Sequence, residues 1–202
     1  MYARPGDRFE AQVDGMVVDL LRADDVVEVQ TGSLGAMGPK LDRLLASHRV
    51  VVVHPIAERT VLVRPGYADR KSPKRGRPVD IFGQLVSLPT LLDHPNLTID
   101  VVMTVEERVK IEDPKMRRRR GGWRTVDRRL VEVVDIVRLS GVDDLDDFVP
   151  SGLADGFTTA ELAAAGGYDR NTAQQIAYCM RALERFEVID RTRAGYSYRF
   201  RG

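Results

Sequence analysis

The chain has 202 residues, 43% hydrophobic and 30% charged, with a formal net charge of +1. That composition supports one packed domain, or one with a small appendage, and excludes a disordered tail. No apolar run approaches the ~20 residues of a membrane-spanning helix. Met1 to Glu10 is too polar for a signal peptide, and the single Cys179 cannot form an internal disulfide. No membrane association and a cytoplasmic location are therefore expected.

Phe9 to Val13 alternates apolar and polar residues as a half-buried strand does. Asp14-Gly15 follows, the dipeptide that most favours a two-residue hairpin turn. Met16 to Leu21 is the return strand, Arg22 to Asp25 a second turn, and Val26 to Thr31 a third strand. The result is a three-stranded antiparallel meander. A turn at 14 and 15 pairs residues whose numbers sum to 29, and the second turn pairs residues summing to 47. Glu10 then faces Asp19, and Asp19 faces Glu28, with directly opposed Cβ atoms ~5 Å apart. Gln12 and Gln30 share that face, while Met16, Val18, Leu20, Val27 and Val29 lie on the other. Three aligned carboxylates repel one another unless a cation sits among them. A divalent ion with a preference for hard oxygen, Mg²⁺ or Mn²⁺, is one remedy. A solvent-facing sheet whose charges find partners elsewhere is the other.

Val17 to Leu21, a turn, then Val26-Val27-Glu28-Val29-Gln30-Thr31 resembles the signature of the PD-(D/E)XK nuclease superfamily. The order of elements fits as well: a meander, a helix from Pro39 to Ser47, and an apolar strand from Arg49 to Ile56 resemble its βββαβ core. The resemblance implies that Asp19 and Glu28 hold the metal together with the Val29 carbonyl. It also implies that Gln30 stands where the superfamily usually has Lys; Lys40 on the following helix could reach back to replace the missing amine. A Gln can neither act as a base nor carry charge, so slow or tightly gated cleavage is expected, or none. The superfamily core begins with a helix that often supplies another acid; Met1 to Arg8 is too short for it, so either the chain dispenses with that helix or its true start lies upstream, and Glu10 could supply the acid from the strand instead. The longer stretch, including Glu28 to Gly32 and His54-Pro55-Ile56, resembles uncharacterised bacterial proteins.

Gly32 to Gly38 matches neither the dinucleotide fingerprint nor Walker A and reads as a connector, or as a seat for a phosphate near a helix N-terminus. From Arg64 to Pro78 six basic residues stand against one Asp, and from Lys115 to Arg129 eight stand against one. One block alone reads equally well as a solvated loop; two together favour an electrostatic footprint for a polyanion. Lys74, Arg75, Arg77, Arg117, Arg118, Arg119 and Arg120 are the candidate DNA contacts, with Trp123 either a base-stacking ring or a packing anchor. Asp80 to Leu92 reads as a helix broken near Pro89, and Thr98 to Met103 and Leu130 to Leu139 as strands. His48, His54 and His94 are scattered and do not suggest zinc.

The stretch from Gly141 to Gly156 carries five aspartates and no base, and reads as an acidic linker or a short polar helix. It separates a first domain, 1–140, from a small module, 157–202. There Thr158 and Glu161 form a capping box, and a second helix is predicted from Arg170 to Phe186. Strands at Val188 to Arg191 and Tyr196 to Phe200 follow. Helix, turn, helix, hairpin resembles a winged-helix domain, and the resemblance makes the second helix the recognition helix. Arg170, Asn171, Gln174 and Gln175 would then lie near its groove-facing end. Arg191, Arg193, Arg199 and Arg201 on the wing point to phosphate contact. A dimerisation or packing module is the other reading.

The expected fold is thus α/β, a restriction-endonuclease-like mixed sheet followed by a winged helix. The expected function is a Mg²⁺- or Mn²⁺-dependent endonuclease on duplex or branched DNA, with a two-fold homodimer suited to cutting both strands. The alternative is a DNA-binding regulator or scaffold in which the nuclease-like fold is catalytically inactive.

Overall fold

A computed structural model describes residues 2–116, 122–192 and 195–201. It is a mixed α/β protein with one large mixed sheet, a second small sheet and few helices. Strands β1 (Arg8–Val13), β2 (Met16–Arg22) and β3 (Asp25–Val29) form the antiparallel meander. A 3-10 turn at Leu34–Met37 and helix α1 (Gly38–Leu45) lead to β4 (Arg49–Val63), whose first residues pair parallel with β3. A two-residue strand β5 (Arg70–Lys71) returns antiparallel on β4. Helix α2 (Phe82–Leu85), β6 (Leu97–Glu112) and β7 (Trp123–Leu139) follow, and the strand order is β1-β2-β3-β4-β6-β7.

The meander has the predicted register. Phe9 faces Leu20 and Ala11 faces Val18, while Leu20 faces Val27 and Leu21 faces Val26. Asp14 and Gly15 both take positive φ, 49° and 74°, as that turn demands. The second turn needs only Ala23 and Asp24, since Arg22 already pairs with Asp25. Val26 and Val27 are both buried, so the sheet is covered on both faces there.

The chain divides into two compact units. One comprises 1–54, 79–100 and 138–202; the other comprises 55–78 and 101–137. In the first, Leu41, Leu44, Val50, Val52, Phe82, Ile99 and Leu145 are all fully or almost fully buried. The segment 157–202, expected as a separate module, falls in this same unit. The second unit holds the greater, distal parts of β4 and β6 and most of β7.

Several elements depart from their predicted bounds. The expected helix from Asp80 to Leu92 is a 3-10 turn at Pro78–Ile81, the single turn α2, and another 3-10 turn at Leu91–Asp93. Strands β4, β6 and β7 all run far beyond their apolar stretches. The acidic segment is a 3-10 helix, Val142–Phe148, with Leu145 buried and Phe148 packed edge-on against Phe82. Arg185 ion-pairs with Asp146 and Asp143, which neutralises part of its charge.

The C-terminal segment contains β8 (Phe157–Thr158), α3 (Thr159–Gly166), α4 (Arg170–Ala182), β9 (Phe186–Thr192) and β10 (Gly195–Phe200), in sheet order β8-β10-β9. The capping box forms: the Glu161 amide donates to Thr158 Oγ1, and Glu161 Oε2 accepts the Thr158 amide at 2.7 Å. Asp169 caps α4 by accepting the Thr172 amide. That helix stops at Ala182 rather than Phe186, because Glu184 turns into the left-handed region with φ 60°. Phe186 thereby joins β9, where its ring packs with those of Phe157, Tyr198 and Phe200. Among the described residues no helix is long and apolar enough to cross a membrane.

Candidate active site

Backbone pairing between β2 and β3 runs from Arg22–Asp25 to Leu20–Val27 and there gives way to side chains. The Val29 amide donates to Asp19 Oδ2 at 2.7 Å, and the Asp19 amide donates to Glu28 Oε1 at 3.4 Å. Each carboxylate thus satisfies the other strand's amide where the ladder opens. Asp19 is exposed, whereas Glu28 is buried at 5% exposure.

Helix α1 explains how the sequence tolerates a buried Glu28. Pro39 starts the helix, Leu41, Leu44 and Leu45 bury one side of it, and Lys40 lies one position off that stripe. Lys40 Nζ sits 2.6 Å from Glu28 Oε1 and donates to the Val17 carbonyl at 2.7 Å. The sheet turn beneath is held by the same helix region, since Arg43 donates to the Asp14 carbonyl and His48 Nε2 meets Asp14 Oδ2 at 3.0 Å. Asp19, Glu28 and Lys40 are therefore brought together.

Glu10 and Gln30 are not. Glu10 adopts φ 47°, and the ladder skips the pair it would make with Asp19, between Phe9–Leu20 and Ala11–Val18. The left-handed residue breaks the expected row of three carboxylates. Gln30 turns its amide into its own loop: Nε2 donates to the Ser33 carbonyl at 3.0 Å and Oε1 accepts the Gly32 amide at 3.3 Å. Its carbonyl accepts from His54 Nδ1 at 2.7 Å. His54, to which sequence reasoning assigned no role, is buried, and burial lowers its pKa against the weaker opposing pull of that carbonyl.

Among the described residues no set of three His, Cys, Asp or Glu is placed to hold a metal ion. What the site offers is a pair of hard carboxylates, each with one oxygen, Asp19 Oδ1 and Glu28 Oε2, making no hydrogen bond to a described residue. That donor set fits Mg²⁺ or Mn²⁺, because such ions keep several waters and take only one or two carboxylates from the protein.

The candidate nucleic-acid contacts sort differently. Lys74, Arg75 and Arg77 are exposed on a loop anchored by Gly76, whose amide donates to the Ala57 carbonyl at 2.9 Å. A Cβ at Gly76 would come within 2.5 Å of Ile56 Cγ2 and 2.7 Å of the Ala57 oxygen, so only glycine permits this approach. Arg117, Arg118, Arg119 and Arg120 lie outside the described residues, as does Arg193. Trp123 is a packing anchor, with Tyr67 edge-on at 5.4 Å and the Arg64 guanidinium over its ring at 4.5 Å.

On α4, Arg170, Asn171 and Gln174 form an exposed stripe that continues through Tyr178 and Arg181. Those last two escaped sequence reasoning, although their spacing along the same helix face could have found them. Gln175 instead lies toward α2, where a Cβ at Gly83 would meet its amide at 3.5 Å. Arg181 and Arg191 flank the Tyr196 ring at 5.5 and 5.4 Å. Two other hairpin arginines are tied to acids: Arg199 to Asp155 and Arg201 to Glu187, both at 2.8 Å. Cys179 is buried and its thiol is pushed up to about 12 by burial, so it packs rather than reacts.

Comparison with known proteins adds a family. A domain of unknown function, DUF8091, matches residues 1–140. An uncharacterised protein of Treponema pallidum (strain Nichols) is 34% identical over 187 residues, covering 89% of this chain and 72% of the relative. No solved structure matches. The chain, with its open β2–β3 ladder inside the matched segment, belongs to the DUF8091 family.

Proposed function

We propose that the protein is a metal-dependent phosphodiesterase, a cytoplasmic endonuclease acting on duplex or branched DNA, with its reaction centre at the open end of the β2–β3 ladder. The observation that carries this reading is Asp19 set against Glu28 where the ladder opens, with Lys40 drawn in from α1. An antiparallel meander followed by a parallel β3-α1-β4 crossover is compatible with the restriction-endonuclease-like core. The sheet order β8-β10-β9 around two capped helices is compatible with a winged helix.

Asp19 and Glu28 would hold a Mg²⁺ or Mn²⁺ ion, which when bound lowers the pKa of a water and offsets charge on the phosphate. Lys40 Nζ has three donors and spends two on Glu28 and Val17, leaving one for a phosphate oxygen. Lys40 thereby supplies the positive charge that Gln30 lacks, while Gln30 shapes the loop beneath. Lys74, Arg75, Arg77 and the Arg117 to Arg120 run offer phosphate contacts. The α4 stripe of Arg170, Asn171 and Gln174 faces solvent, where a groove could take it.

The second reading is a catalytically inactive DNA-binding scaffold. It is favoured by one observation: Lys40 already neutralises Glu28, as in a purely structural ion pair. A cleavage assay on linear, branched and single-stranded DNA with Mg²⁺ or Mn²⁺ separates the two. The nuclease reading expects cleavage by the native chain, lost in Asp19→Asn and Glu28→Gln while both variants still bind DNA. Binding without cutting, indifferent to metal and to both substitutions, establishes the scaffold.

A further inference from the structure

Strand β7 ends the large sheet, with β6 as its neighbour in the strand order. It runs from Trp123 to Leu139 without a glycine, a proline or a positive φ among its residues. An edge of that length is an open template for another strand, which most proteins blunt by shortening, kinking or covering it. The opposite edge is blunted so: β1 has six residues and is kinked at Glu10. Strand β7 is exposed over nearly its whole length. It presents Val126, Leu130, Val131, Val134 and Ile136, and Leu130, at 66%, is the most exposed of the described large apolar side chains.

We propose that β7 pairs antiparallel with β7 of a second copy of this chain, joining two large sheets across a two-fold axis at Leu130. This inference is independent of the nuclease reading. A two-fold axis perpendicular to the sheet keeps each residue on its own face, so opposed residue numbers must sum to an even value. Only charge then decides the register. A sum of 260 sets Leu130 against its own copy, Arg128 against Glu132 twice, and Val126 against Val134 twice. A sum of 258 opposes Arg129 to Arg129, and 262 opposes Asp127 to Asp135. Sums of 256 and 264 oppose Arg128 to Arg128 and Glu132 to Glu132. Like charges directly opposite are destabilising, so the neighbouring registers are all disfavoured and 260 is not.

The local ion pairs agree with this register. Arg129 is neutralised within its own strand by Asp127 at 2.8 Å, and Arg124 by Asp113 at 3.1 Å. Arg128 makes no ion pair with any described residue, and Glu132 has only a distant one, to Arg59 at 3.8 Å. The two charges that the dimer would match are thus free or weakly held, and Asp135, which also makes no ion pair with a described residue, would face the neutral Thr125 in this register. Mixed charge of both signs and exposed valines along β7 suit another strand better than they suit a nucleic acid backbone.

The test uses the full chain, whose one native cysteine is buried, so introduced thiols report cleanly. Paired residues stand within disulfide reach. Under mild oxidation Leu130→Cys is expected to cross-link to itself. Val126→Cys alone is not, but a mixture of Val126→Cys and Val134→Cys is. In sedimentation equilibrium, Arg128→Glu should raise the dimer dissociation constant about tenfold or more, and adding Glu132→Arg should restore it. The proposal is overturned by a chain that stays monomeric at every concentration, or by Val126→Cys cross-linking as readily as Leu130→Cys. It is equally overturned if Arg128→Glu weakens binding to duplex DNA and leaves self-association unchanged, which assigns β7 to nucleic acid.

Discussion

Two buried carboxylates in the first compact unit each meet a cation, and they meet it differently. Asp100 on β6 is fully enclosed and fully used. The Arg138 fork takes both oxygens at 2.8 and 2.9 Å, and the Tyr2 hydroxyl donates to Oδ2 at 2.6 Å. Burial would raise this carboxyl, but the Arg138 and Tyr2 hydrogen bonds outweigh it and hold it below the usual range. Tyr2 is raised in turn by its own burial and by Asp100, and the Arg22 guanidinium, already on Asp7, also holds the Tyr2 carbonyl. Glu28 is buried almost as deeply, yet Lys40 and the Asp19 amide share one oxygen and the other has no described partner. A saturated carboxylate is a clasp. One left half-used beside a second carboxylate can still bind something, and that contrast is what the proposed metal site rests on.

The largest effect is expected from Arg138→Met, which strands Asp100 in the interior and should cost about 3 kcal/mol in chemical denaturation. Adding Asp100→Leu should recover most of that, because an apolar pair removes the buried charge as well. Lys40→Met should cost less, about 1–2 kcal/mol, since Glu28 keeps the Asp19 amide and an open side. Mg²⁺ or Mn²⁺ should then raise the melting temperature of Lys40→Met and leave that of Arg138→Met no better than the native response. Equal metal responses in the two variants would erase the distinction between clasp and site.

A smaller effect concerns pH. His54 is held neutral by burial, with a folded pKa below its unfolded value of about 6.5. As pH falls below that value the unfolded chain gains a proton that the folded chain refuses, so stability declines. Denaturation curves at neutral and mildly acidic pH should show the loss, and His54→Gln should flatten it. The Asp100 clasp behaves likewise at lower pH: its stabilisation is present above about 3.9 and is lost as pH falls through the depressed folded pKa.

How much of this was legible in the sequence depended on range. The meander's register followed from Asp14-Gly15 and short-turn arithmetic, because turn chemistry is local. A helix placed just after β3 let Lys40 be expected to reach back for the amine missing at Gln30, but its seat on Glu28 came only from the structure. The left-handed turn at Glu10 was invisible, since nothing local asks a glutamate to adopt it. The reach of β4 to Val63, β6 to Glu112 and β7 from Trp123 was hidden too. Distal residues of these strands are largely exposed or half-buried and carry no sustained apolar signal. Asp100 gave no sign either, because its partners lie 98 and 38 residues away along the chain.

Calorimetric titration of Mn²⁺ into the intact chain tests the central claim most directly. The account predicts one class of bound ion, lost in Asp19→Asn and in Glu28→Gln and kept in Glu10→Gln, whose carboxylate the broken row leaves aside. Binding that survives both of the first two substitutions, or that disappears with Glu10→Gln, would contradict it.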